Sequence, residues 1–100
     1  QSFHESVKTV SIDDFVSRNA IEKIDFIKMD IEGAELEALK GAESVLRQYR
    51  PKLAICVYHN GYTDIITVPA WLNQLNLGYK FYLKLAATYD EETVLFAIAE

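Results

Sequence analysis

Several things are scarce in this 100-residue chain, and each scarcity removes a class of protein. There is one cysteine, Cys56. A lone thiol closes no intramolecular disulfide and supplies no cysteine-based zinc site, so a disulfide-stapled secreted module is excluded and a reducing, cytoplasmic setting is expected. Basic residues are outnumbered, 10 Lys and Arg against 15 Asp and Glu, for a net charge of -5. That balance offers no basic stripe to release counterions, so nucleic acid is not expected as a partner. No apolar run approaches the roughly 20 residues of a membrane-spanning helix, and residues 1–10 carry no leader-like apolar stretch, so no membrane association is expected. The 4 glycines and 2 prolines are scattered as punctuation, with no linker, repeat or low-complexity tract, and residues 1–100 are expected to form one domain. Half of the chain is hydrophobic. A core of that size confers marginal stability.

What is present is concentrated between residues 24 and 59. The strand-like IDFIKM gives way to the helix-like AELEALK, and the junction carries Asp-x-Glu-Gly-x-Glu: Asp30, Glu32, Gly33 and Glu35. In open α/β sheets the carboxyl ends of the strands hold the chemistry. Asp30 alone fits an N-cap, because its side chain satisfies free amides at the positive end of a helix. Three carboxylates in six residues exceed what a cap requires, since each like charge raises the cost of the others unless a cation or donors offset it. The cluster suits a cation, a proton transfer or ribose hydroxyls. Its helix-forming residues begin too early for an EF-hand calcium loop; a magnesium ion held by Asp30, Glu32 and water is compatible, though nothing demands it.

The rest of the chain divides by periodicity. Ser11, with Asp14 three residues later, fits a capping box and predicts a short helix over 12–19, closed by Asn19 and Ala20. Residues 24–29 predict a buried parallel strand. Leu36, Leu39, Ala42, Val45, Leu46 and Tyr49 recur at helical spacing, predicting a helix over 33–49 that Gly41 kinks or divides. Pro51 ends it, and 52–58 predicts a second buried strand containing Cys56 as a packed residue. An amphipathic pattern covers 63–75, where Pro69 requires either a start near Val68 or a kink. Residues 79–85 and 93–99 form a predicted β-hairpin around the acidic loop 87–92. Core packing accounts for most of Tyr58, Trp71, Tyr79, Phe81 and Tyr82.

Taken in order, Asp30-x-Glu32-Gly33-x-Glu35, Leu39-Lys40-Gly41-Ala42, Arg50-Pro51, a strand ending in His59, the run Gly78 to Leu83 and the run Glu92 to Ile98 resemble the C-terminal half of FkbM-type S-adenosylmethionine-dependent methyltransferases. The opening Thr9 to Phe15 resembles the segment that precedes that family's fourth strand. The resemblance implies an α/β fold, a partial class I methyltransferase (Rossmann-like) sheet of two parallel βα units followed by an antiparallel hairpin, with local strand order first, second, fourth, third. It also implies that Asp30 and Glu32 contact S-adenosylmethionine and that Asp30 and His59 are catalytic, His59 as a general base for a hydroxyl proton. The role of Glu35 stays open. Two positions depart from the family pattern: Val57 replaces an acidic residue, which weighs against a metal or charge-relay role at His59, and Lys84-Leu85 stands where relatives carry Arg-His, which points to altered substrate contacts or lost activity.

The glycine-rich cofactor loop of class I methyltransferases has no counterpart here, because no strand-Gly-x-Gly segment occurs. Together with a first residue, Gln1, that is not an initiator Met, this predicts a piece of an O-methyltransferase for a small-molecule hydroxyl, on a sugar or secondary metabolite, that is inactive alone. A different class of function is a non-catalytic binding or receiver-like signalling module with Asp30 as phosphoryl acceptor. It lacks the upstream acidic pair and the lysine of such receivers. The strand at 24–29 would expose an apolar edge in such a piece, so a homo-oligomer through that edge is expected.

Overall fold

The computed structural model describes residues 10–58, 60, 63–85 and 93–100. Residues 1–9, His59, residues 61–62 and residues 86–92, which include the predicted hairpin loop 87–92, lie outside the described residues.

The first helix, α1 (Ile12–Arg18), begins where Ser11 Oγ accepts the Asp14 amide at 3.1 Å. β1 (Phe26–Met29) follows, then α2 (Glu35–Lys40) and α3 (Glu43–Tyr49), β2 (Lys52–Cys56), α4 (Asp64–Gln74), β3 (Tyr79–Lys84) and β4 (Val94–Ala99). The four strands form one sheet in the order β1-β2-β4-β3. β1 and β2 are parallel with Met29 opposite Ile55, while β4 runs antiparallel to both β2 and β3. The last strand thus inserts between its two predecessors, as predicted.

The helical pattern at 33–49 divides into two helices at Gly41 and Ala42. The reason lies 30 residues upstream. A Cβ on Gly41 would sit 3.1 Å from Ser11 Cβ, so the start of α1 abuts the joint, and the Asp13 amide donates to the Gly41 carbonyl at 2.9 Å. The Asp13 carboxylate then accepts from the Ser44 and Val45 amides, both at 2.9 Å. α3 has no side-chain cap of its own and takes this one from α1.

The core occupies one face of the sheet. Met29, Leu53, Ile55, Leu95, Ala97 and Tyr79 pack against Leu39, Leu46, Val68 and Leu72 from α2, α3 and α4. The short dimension of the molecule, 20 Å, is that of two layers about 10 Å apart. Strand alternation puts Phe26, Lys28, Lys52, Ala54, Cys56, Lys80, Tyr82, Lys84 and Phe96 on the opposite face, and none of them joins this core.

That arrangement corrects one expectation. β1 is not a buried strand: among the described residues it pairs on one side only, Phe26 is 55 % exposed and Lys28 is exposed. Tyr82, one of the five aromatic residues most of which the sequence assigns to core packing, is exposed on the face opposite this core. Cys56 is buried as expected. α4 runs unbroken from Asp64 through Pro69, so the late start near Val68 does not occur; the apolar contacts of Val68 and Leu72 offset the hydrogen bond that the proline cannot donate. No helix among the described residues is long and apolar enough to cross a membrane.

Candidate functional site

Because β1 and β2 are parallel, both release their chains at the same edge of the sheet. Asp30 follows Met29 directly, and residues 57–60 follow β2. Between Asp30 and α2 the chain turns through two consecutive residues of positive φ, Glu32 at 56° and Gly33 at 99°. An L side chain at φ 99° is strained, and a Cβ on Gly33 would meet Asn60 Oδ1 at 3.0 Å. The positive φ favours glycine there, and any added Cβ would need the Asn60 side chain to give by a few tenths of an ångström.

Glu35, left open by the sequence, has a definite position. Its side chain is fully buried, with Oε2 accepting from the Ile31 amide at 2.9 Å and Oε1 from the Gly33 amide at 3.0 Å. One carboxylate therefore supplies the acceptors that two loop amides cannot find in a helix or strand. Of the three acidic residues, Glu35 holds the loop from inside, while Asp30 and Glu32 are exposed on it.

The loop after β2 reaches across to this turn. Asn60 Nδ2 donates to the Gly33 carbonyl and to Asp64 Oδ2, both at 3.0 Å. Asp64 is buried at the first turn of α4, where Thr67 Oγ1 donates to its other oxygen at 3.4 Å. Sequence reasoning missed both residues: Asn60 reads as a turn former beside Gly61, and no local pattern pairs it with Gly33 or Asp64. His59, the predicted general base, lies outside the described residues.

Two hollows flank the helices. One of about 530 Å³ lies between α1 and α3, away from the strand ends. The other, about 510 Å³, is bounded by Val10, Ile12, Ile31, Ala34 and Ala38, next to the acidic turn. Neither is lined by Asp30 or Glu32. Among the described residues no three His, Cys, Asp or Glu side chains converge as a metal-ligand set.

Comparison with known proteins identifies relatives of this fold. The family model described as the methyltransferase FkbM domain matches residues 1–81, a span that contains the acidic turn and position 59 and stops within β3. The crystal structure of methyltransferase FkbM from Methylobacillus flagellatus KT is 36 % identical and superposes with a TM-score of 0.73, covering 86 % of this chain and 22 % of that one. No curated protein matches. The present chain thus corresponds to less than a quarter of its solved relative. With a family match over most of its length and the same fold at this identity, the chain belongs to the FkbM methyltransferase domain family.

Proposed function

We propose that this chain forms one wall of the active site of an S-adenosylmethionine-dependent O-methyltransferase whose acceptor is a hydroxyl of a sugar or secondary metabolite. The observation that carries this reading is the exposure of Asp30 and Glu32 at the carboxyl end of β1, beside the loop after β2, in a chain of the FkbM family. Ligands of open α/β sheets bind at that position. Carboxylates held there fit the cofactor, since they accept from ribose hydroxyls and stand favourably near a sulfonium charge. When bound, S-adenosylmethionine supplies the electrophilic methyl group.

In this reading Asp30 and Glu32 hold and orient, and His59 takes the proton of the acceptor hydroxyl. Such positioning and proton removal are what a protein contributes to methyl transfer. The lone Cys56 favours a reducing, cytoplasmic setting for the reaction. The remaining walls would come from sequence outside these 100 residues, in keeping with the small share of the solved relative that the chain covers and with the lack of a Gly-x-Gly loop.

The test is calorimetric titration of S-adenosylmethionine into the 100-residue chain and into a longer polypeptide extended upstream. The chain alone should give no measurable heat, because one wall offers too few contacts to offset the entropy of fixing the ligand. The longer polypeptide should bind and transfer methyl groups, and Asp30→Ala or His59→Ala should abolish transfer. Saturable binding by the short chain would refute the one-wall reading.

A further inference from the structure

We propose that Asn60 is a positioning residue that clasps the acidic turn to the segment after β2, an inference that rests on the methyltransferase reading for its functional meaning. The Gly33 carbonyl and the Asp64 carboxylate are both acceptors, so the group between them must present two N–H donors. The Asn60 amide does so, at 3.0 Å to each.

Neither end of this bridge is soft. Gly33 is clamped from inside the turn by Glu35, which accepts the Gly33 and Ile31 amides and is itself fully buried. Asp64 is buried in the first turn of α4, whose Val68 and Leu72 belong to the core. Asn60 therefore ties a turn that carries Asp30 and Glu32 to a helix anchored in the core, and His59 precedes it directly in the chain. The clasp sets the separation between the turn that carries the carboxylates that would hold the cofactor and the start of α4. An error of about 1 Å in such a separation costs rate rather than binding.

Two substitutions test the clasp. Asn60→Ala deletes the donors. Asn60→Asp keeps the shape but faces a carboxylate and a carbonyl with a third acceptor. Hydrogen exchange by NMR on the full 100-residue chain should be faster by about tenfold or more at the Ile31 and Gly33 amides in both variants, with β2 and β4 amides changed less than about twofold. Unchanged exchange at Ile31 and Gly33, or an equal rise throughout the sheet, would overturn the proposal. In a longer polypeptide that transfers methyl groups, Asn60→Ala should lower kcat about tenfold while KM for S-adenosylmethionine moves less than about threefold. An unchanged kcat alongside faster loop exchange would overturn the positioning role. A longer polypeptide with its native Asn60 that transfers nothing would refute the methyltransferase reading, and the exchange result would still decide the clasp.

Discussion

The Tyr79 hydroxyl donates to the Pro51 carbonyl across 2.6 Å, joining the start of β3 to the start of β2 although β4 lies between those strands. Burial pushes the Tyr79 hydroxyl from its ordinary 10.0 up to about 12, against the opposing pull of the Arg50 guanidinium. The neutral form is therefore the one the fold prefers, and its contribution is complete below pH 10.0 and is lost as the pH rises through about 12. Tyr79→Phe should lower unfolding free energy by about 1–3 kcal/mol at neutral pH, because the Pro51 carbonyl is left buried without its donor. Urea titrations from neutral pH to pH 12 should show stability falling across that upper window in the native chain and a flatter profile in the variant.

Asp13 caps a helix that is not its own, with both oxygens on amides of α3. Asp13→Ala should cost about 1–2 kcal/mol, and Asp14→Ala, one residue on and exposed, less than about 0.5 kcal/mol. Equal urea midpoints for the two variants would contradict this assignment.

Gly33→Ala should destabilise by about 1–3 kcal/mol, from backbone strain at positive φ together with the approach of the new Cβ to Asn60. The measurable sign beyond a lower midpoint is displaced amide resonances at Asn60 and Asp64. A variant with native stability and native spectra would mean that the turn relaxes freely.

Phe26 is 55 % exposed on β1, a strand paired on one side only among the described residues. An apolar edge of this kind recruits another chain, and association should proceed edge to edge because the adjoining face carries Lys28, Lys52, Lys80 and Lys84, which repel a like surface. Sedimentation should give a mass that rises with concentration, and Phe26→Lys should hold the chain monomeric. A concentration-independent monomer of the native chain would count against this association.

Much of the fold is legible in the sequence because hydrophobic period is local. The apolar run before Asp30 and the run after Pro51 specify two strands, the spacing of Leu36, Leu39 and Leu46 specifies helix between them, and the two final strand-like runs specify a hairpin. The acidic turn is legible for a similar reason, since a strand, a glycine and a helix start follow one another within a few residues. Which carboxylate does what is not. Glu35 looks like the other two in the sequence, and only the folded turn, which buries it over two amides, separates it from exposed Asp30 and Glu32.

Contacts between distant residues were decided by tertiary structure alone. The cap that Asp13 gives α3, the bridge from Asn60 to Gly33 and the bond from Tyr79 to Pro51 span 27 to 32 residues, and no window of sequence contains both partners. The exposure of β1 has the same origin. An apolar run predicts burial, but burial belongs to a position in a sheet, and among the described residues β1 stands at an edge with helices over one face. Local patterning chose the elements and their order; the placement of each charge, cap and exposed ring followed from which elements packed together, because burial and hydrogen-bond satisfaction are properties of neighbours in space.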